Sequence, residues 1–564
     1  MSTEKQLSPS KSPSRARRIA IFLLSVGFAV IFGEVFLRFV ELPFVEPRDF
    51  VAGDDSNRAF EFDFETMWRY PFDPVEKWGL AAADEFSNRF GCRGYEPAEI
   101  KMSSDLRVIC VGSSGVAGFG LPLGWAFPSY LERKLQQKYP RARVETVLCG
   151  IAGYSSEQQR ALLFGRLKDF RPDLVVFLTG THNDLAPAPE RNDQENLDRL
   201  RPGFSRTLDL LRFKYSFVNR MVSSTPTVER EGAGDTALLR VPLPRFKDNL
   251  DAMFGWVKDQ GAQSVVIVPS TKDVKPMRLV YRDVVTDEAR ARGIPIVDMA
   301  QAAPQAGDWL DALHLTRSGH ESLANSILGV VSREKLLAPK ESKWLGNAPD
   351  FQLLSVEPRS VVVGGARQVT LQLDGISESE LTRIWCAGQL VTFSWEGSGK
   401  VRLLLPRLMP IETAAIEVVT TKGARVFGNA LEILPPELAV EFIDAGDDVR
   451  IEFKVVMPES TEIAITGTVA PKEQSTSTAA GPVWLALSDT WTPTNANRRT
   501  FFEDTVFARG QSFHQGLWLT SWVGKREIPP GTRLVFQGLL GIVAPGNFQP
   551  VSVTKPFFYT VPPR

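Results

Sequence analysis

Histidine and cysteine are both scarce, with four of each in 564 residues, and the scarcity removes several kinds of chemistry at once. Cys92, Cys110, Cys149 and Cys386 are scattered, so they suggest neither a disulfide framework nor the paired ligands of a zinc site, and no two histidines stand at ligand spacing. Excess charge of one sign is missing too: 65 basic residues face 66 acidic ones, which leaves no bulk field to hold a polyanion, and nucleic acid is not an expected partner. A Gly-Lys-Ser/Thr phosphate loop is absent. Gly112, Gly115 and Gly118 follow an apolar run as in a dinucleotide loop, but the end of the next apolar run, where an acidic residue would hold a ribose, is Cys149. The expected chemistry uses no metal and no cofactor.

One of the few histidines stands in a telling place. Asp311 precedes His314 by three residues, close enough to fold back within a turn, hold the imidazole by Nδ1 and leave Nε2 as a general base. Such a base needs a nucleophile. Asp105 to Val111 reads as a buried strand and runs into Gly112-Ser113-Ser114-Gly115, which places a hydroxyl at the carboxyl edge of a parallel sheet. Ser114 is the candidate nucleophile. Two more apolar strands, 144–148 and 174–178, end in Cys149-Gly150-Ile151-Ala152-Gly153-Tyr154 and in Thr179-Gly180-Thr181-His182-Asn183-Asp184. Gly153 offers a backbone N–H without an obstructing Cβ and Asn183 a side-chain amide, the donors that a developing oxyanion needs.

In this order the four segments resemble the blocks of the SGNH hydrolases, the GDSL esterase/lipase superfamily: a Gly-Asp-Ser loop, an oxyanion glycine, a Gly-x-Asn-Asp loop and an Asp-x-x-His pair. The resemblance spans roughly residues 88 to 331, and the lead-in Asn88-Arg89-Phe90-Gly91-Cys92-Arg93-Gly94 looks like that of membrane-tethered members. It implies Ser114 as nucleophile, His314 as base and Asp311 as its orienter, with the N–H groups of Ser114 and Gly153 and the amide of Asn183 as the oxyanion hole. It also implies a flavodoxin-like strand order. This chain departs from the pattern twice: Ser113 replaces the usual aspartate, and Gly180-Thr181-His182-Asn183 is one residue longer than Gly-x-Asn.

Each residue also has a plainer role. A Ser-Ser pair after a strand caps helices, and Asn-Asp after glycine makes turns. His320 opens an apolar-periodic helix (Leu323, Ile327, Val330) and is expected to be structural; His182 is expected to cap or pack beside Asn183, with substrate contact as the alternative; His514 lies in a different domain. The coincidence of all blocks at strand ends favours the catalytic reading.

Residues 19–41 form a run long enough to cross a hydrocarbon core, which takes about 20 residues. Glu34 and Arg38 share a helical face near its exit, and Lys5, Lys11, Arg15, Arg17 and Arg18 precede it. The expectation is a signal anchor with residues 1–18 in the cytoplasm and the rest extracytoplasmic, periplasmic in a bacterium. A cleaved signal peptide is the alternative, but no small-x-small site lies between Gly33 and Phe44.

Residues 42–100 read as an aromatic-rich connector (Phe60, Phe62, Phe64, Trp68, Tyr70, Phe72), expected to pack along the catalytic domain rather than insert into a membrane. The hydrolase domain, 101–338, alternates strands near 106–111, 144–148, 174–178, 264–268 and 294–297 with helices, which predicts a three-layer α/β/α domain with a parallel sheet. A long insertion between Asp184 and Pro244 carries a short amphipathic pattern at Leu208, Leu211 and Phe213 and is expected to shape the substrate pocket. From about residue 345 the period becomes two. Residues 345–436 suit an immunoglobulin-like sandwich that resembles the IPT/TIG class, and 437–564 a second β-sandwich. Trp484, Trp491, Trp518 and Trp522 are expected in its core, with stacking on sugar rings as the alternative.

Together these features predict a membrane-anchored serine esterase acting on O-acyl groups, with envelope polysaccharide as a substrate class. Acyl transfer to a glycan by the same triad, or a non-catalytic glycan-binding protein on the same fold, are the rivals.

Overall fold

The computed structural model describes residues 22–29, 31–33, 35, 60–63, 65–71, 87–118, 121–188, 191–200, 238–269, 276–309, 314–363, 367–406 and 409–435, and beyond these only the backbone of strands between 437 and 560. It divides into two units, 1–68 with 194–237 and 69–193 with 238–564.

In the first unit, residues 22–29 and 31–33 are helical with Phe22, Leu23, Leu24 and Phe28 exposed. Among the described residues no helix is long and apolar enough to cross a membrane, and residues 19–21, 30, 34 and 36–41, Glu34 and Arg38 among them, lie outside the described residues. Glu61–Asp63 and Met67–Arg69 form a two-stranded sheet. Phe60 and Trp68 are buried, so these two aromatics of the connector do not present a face to a membrane. Phe64, Phe72 and the 208–213 pattern lie outside the described residues.

The second unit is built on a five-stranded sheet. Its strands are β1 (Asp105–Gly112), β2 (Arg143–Gly150), β3 (Leu174–Leu178), β4 (Gln263–Val268) and β5 (Ile296–Asp298), all parallel and ordered 2-1-3-4-5. This is the flavodoxin-like order, and the strands fall within two residues of their sequence-predicted positions. Every residue of β1, β2 and β3 is buried, because both faces are covered, and this is why residues 108–111, residues 147–149 and the whole of β3 read as apolar runs. One face packs on helices α2 (Phe127–Lys138) and α6 (Arg317–Arg333), whose Leu131, Leu135, Leu323 and Ile327 join Val108, Val176 and Ile267 in one core. On the other face, Phe254 of α4 (Leu243–Asp259) meets Phe177 edge-on, and α4 also contacts α3 (Ser156–Phe164) and α5 (Pro276–Ala291).

The four charged residues in β1 and β2 sit at the amino-terminal end and pair across the sheet. Arg143 binds Asp105 at 2.6 Å and Arg107 binds Glu145 at 3.0 Å. Buried charges persist only when so compensated. The carboxyl-terminal end, opposite, is left to short polar and glycine-containing loops.

Residues 352–434 form an eight-stranded β-rich domain: β6 (Gln352–Glu357), β7 (Ser360–Val362), β8 (Gln368–Asp374), β9 (Leu381–Cys386), β10 (Gln389–Gly397), β11 (Lys400–Leu404), β12 (Thr413–Thr420) and β13 (Gly423–Leu434). Its path is β6-β8-β11-β10-β9-β12-β13-β7, with one shared core. In β8 the predicted alternation is literal: Val369, Leu371 and Leu373 are buried between more exposed neighbours. Leu123, Ala126 and Leu148 of the α/β domain cluster with Trp385, Leu390, Val419 and Ala424 of the β-rich domain, so the two share an apolar seam. Beyond residue 436, three- and four-stranded antiparallel sheets are described. Trp484 lies in one strand; Trp491, Trp518 and Trp522 lie outside the described residues.

Candidate active site

Ser114 opens α1 (Ser114–Ala117), a single turn that follows β1 directly. The turn can lie so close to the sheet because the residues beneath it are small. A Cβ on Gly150, at the end of β2, would come within 2.4 Å of the Ala117 nitrogen and 2.5 Å of Val116 Cβ. The strand-end glycines thus admit the helix that carries the hydroxyl, a different use from cradling a pyrophosphate. Arg93 holds the same turn from outside, donating from Nη1 to the Ala117 carbonyl and from Nη2 to the Leu121 carbonyl, each at 2.8 Å.

His314 lies just ahead of α6, and its Nε2 is 2.9 Å from Ser114 Oγ across 200 residues of sequence. That is hydrogen-bond distance for a base and the hydroxyl it activates. Ser113 sits beside them, 2% exposed, and its carbonyl accepts from the backbone of Val116 and Ala117 while its side chain makes no capping bond. Of the two adjacent serines, Ser114 is the one whose hydroxyl lies within hydrogen-bond distance of the imidazole. Asp311, the sequence-predicted orienter, lies outside the described residues.

The loop after β2 turns at Gly153, whose φ of +80° favours glycine. Asn183, 5% exposed, donates from Nδ2 to the Tyr154 carbonyl at 3.2 Å. The longer Gly180–Asn183 loop thus still delivers the asparagine to the Gly153 loop, and the amide has a second N–H. The next residue, Asp184, is fully buried; its Oδ1 accepts from the Ser156 backbone at 2.7 Å, and Oδ2 has no partner among the described residues. Burial raises its pKa to about 6 against the opposing hydrogen bonds from Ser156.

Sequence reading missed Arg240. Its guanidinium donates to the Gly153 carbonyl (2.8 Å), to Gln158 Oε1 (2.8 Å) and to Asp193 Oδ2 (2.7 Å), while Asp193 also accepts from Ser155 Oγ (2.6 Å). An arginine at the far end of a proline- and charge-rich insertion thereby fixes the loop that carries the candidate oxyanion donor. Its sequence surroundings, Leu239-Arg240-Val241-Pro242, give no signal of this.

His320 is structural, as expected. Nδ1 accepts from the Phe127 backbone N–H at 3.1 Å, the ring stacks on Phe127, and burial, with the nearby His314 and Arg93, drives its pKa down to about 3. It is neutral and occupied. His182 is half-buried, and His514 lies outside the described residues. The scattered cysteines include one close pair: Cys92 Sγ and Cys149 Sγ are 3.0 Å apart.

Residues 110–321 match the GDSL-like Lipase/Acylhydrolase family. Similar solved structures include a lipase/acylhydrolase from Enterococcus faecalis (17% identity, 41% of this chain and 96% of that one, TM-score 0.27) and an acetylxylan esterase from Geobacillus stearothermophilus (19%, 41% and 96%, 0.27). Another is an alpha/beta hydrolase from the metagenome of Lake Arreo (17%, 41% and 98%, 0.28). No curated protein matches the chain. The chain carries a GDSL-type hydrolase domain, the domain of an ester-hydrolysing enzyme.

Proposed function

We propose that the protein is a serine esterase that cleaves carboxylic esters through an acyl-enzyme at Ser114. The observation that carries this reading is the 2.9 Å approach of His314 Nε2 to Ser114 Oγ at the carboxyl edge of the sheet. Ser114 Oγ attacks the ester carbonyl as His314 takes its proton. The tetrahedral oxyanion is held by the N–H groups of Ser114 and Gly153 and by the Asn183 amide, and Asp311 steadies the imidazolium. Collapse expels the alcohol, which receives the proton from His314. Water, activated by the same imidazole, then releases the acid.

In this reading the segment 19–41 anchors the enzyme and the hydrolase domain works on the extracytoplasmic side, where O-acyl groups on envelope polysaccharides are the substrate class. The basic residues ahead of the apolar run support the orientation. The β-rich domain at 352–434 is read as an immunoglobulin-like sandwich. Rapid mixing with a short-chain aryl ester tests the chemistry: a stoichiometric burst of phenol and an acyl adduct on the Ser114 peptide are expected, and turnover without either would end the proposal. Carrying out the same reaction with acetylated polysaccharide, and adding a sugar acceptor, separates hydrolysis from transfer.

A further inference from the structure

The chain segment leading into the hydrolase domain lies along β2. Arg93 bridges Leu148 in antiparallel register, so the residues one step away on either side, Cys92 and Cys149, stand directly opposite each other. Directly opposed antiparallel residues have Cα atoms about 4.5–5.5 Å apart, inside the range of roughly 4.4–6.8 Å that disulfides span. Their sulfurs are 3.0 Å apart, about 1 Å beyond an S–S bond of roughly 2.05 Å. Both residues are completely buried. The third cysteine of the region does not compete: Cys110 pairs with Leu148 in the sheet, one residue out of step with Cys149, so it projects to the opposite face, into the core with Val108 and Val176.

We infer that Cys92 and Cys149 form a disulfide that fastens the lead-in segment to the end of β2. Both flanks of this bond bear on the turn carrying Ser114. Gly150, next to Cys149, packs under Val116 and Ala117; Arg93, next to Cys92, holds the Ala117 and Leu121 carbonyls. The bond closes a sequence separation of 57 residues, long enough to restrict the unfolded chain substantially. The oxidant is a small-molecule or protein disulfide. One cysteine thiolate attacks it, releasing one thiol and leaving a mixed disulfide; the second cysteine attacks that bond, releasing the other thiol. Two cysteine thiols are thereby oxidised, one external disulfide is reduced to two thiols, and the two cysteine protons pass to them. Burial raises the Cys149 thiol well above its ordinary value, so the exchange belongs to the folding chain, and the completed bond is shielded from reductants afterwards.

The test is a disulfide map of the full chain folded with oxidised glutathione, alkylated after denaturation and digested without reduction. The expected result is one linked species joining the Cys92 and Cys149 peptides, lighter by two hydrogens than the pair of thiols, with Cys110 and Cys386 alkylated. Reductant applied to the denatured protein should release the link, and the reduced wild type should melt at a lower temperature than the oxidised. In Cys92→Ala, Cys149 should be alkylated and the melting temperature should no longer respond to reductant. Alkylation of all four cysteines in the oxidised wild type, or a link through Cys110 or Cys386, would overturn the inference. The map does not depend on ester hydrolysis, so its outcome stands apart from that of the catalytic reading.

Discussion

Arg240 Nη1 donates to the carbonyl oxygen of Gly153 at 2.8 Å across 87 residues of sequence. The same guanidinium is held by Asp193 and Gln158, so its position is fixed before substrate arrives. In the proposed mechanism the Gly153 N–H receives the oxyanion, and Arg240 acts through that loop as a positioning residue. Arg240→Ala is expected to lower kcat by about ten- to a hundredfold, the effect of a misplaced donor, with little change in KM. Arg240→Lys should recover only part of this, because an ammonium cannot reproduce the forked contacts. Steady-state kinetics on a short-chain ester checks both; an unchanged kcat would separate Arg240 from the oxyanion loop's work.

The two adjacent serines should differ sharply. Ser114→Ala and His314→Ala are each expected to cost about 10⁴-fold or more in kcat, and Ser113→Ala less than about tenfold. Circular dichroism melts of the three variants establish that they are folded before the rates are compared. Equal losses at Ser113 and Ser114 would mean that the wrong hydroxyl has been chosen.

Asp184 gives a pH dependence of stability with a definite sign. Burial raises its folded pKa to about 6, above its ordinary value of 3.8, so between these values the folded state binds more protons than the unfolded one. Stability due to this group is therefore greatest below pH 4 and falls as the pH rises through the folded pKa, by up to about 3 kcal/mol. Asp184→Asn keeps an acceptor for the Ser156 N–H and lacks this slope. Urea unfolding of both proteins from pH 4 to 7.5 should show the variant gaining on the wild type as pH rises; a difference that is flat with pH would refute the assignment. His320 works in the other direction, because its folded pKa is depressed to about 3: its contribution is present above the ordinary imidazole range and declines as acid protonates the unfolded chain.

The seam between the α/β and β-rich domains contains a buried arginine. Arg383 reaches Glu132 at 3.5 Å and lies over the Tyr95 ring at 4.1 Å, while Tyr95 Oη donates to Glu132 at 2.7 Å. Removing one partner strands the other's charge. Arg383→Ala should destabilise the protein by about 3 kcal/mol or more, measured by denaturant unfolding. Arg383→Met paired with Glu132→Gln should recover part of that loss, since the buried charge leaves with its partner. A neutral Arg383→Ala would argue that the domains do not depend on this contact.

Much of the α/β core was legible because both of its faces are covered: β1, β2 and β3 each contain an apolar run, and those of β1 and β2 close on glycine, a pattern that survives without any tertiary information. The strand order came from the family resemblance, and the structure has it. The approach of His314 to Ser114 was readable because strand-end position and residue type together limit the choices. Arg240 was not, since a positioning arginine has no local pattern and its partners, Gly153 and Asp193, are 87 and 47 residues away. The closeness of Cys92 and Cys149 was hidden for the same reason: it follows from a single backbone bridge, Arg93 to Leu148, which periodicity does not encode. Asp184 was visible as part of a turn, but its burial is a tertiary matter, and its bond to the Ser156 N–H at the start of α3 spans 28 residues.

The central claim is that Ser114 is a hydroxyl made nucleophilic by His314, and an active-site-directed fluorophosphonate reads this directly, independent of the natural ester. The account predicts a stoichiometric adduct on the Ser114 peptide in the wild type and in Ser113→Ala, and none in Ser114→Ala or His314→Ala. An adduct on Ser113, or labelling that persists in folded Ser114→Ala, would contradict it.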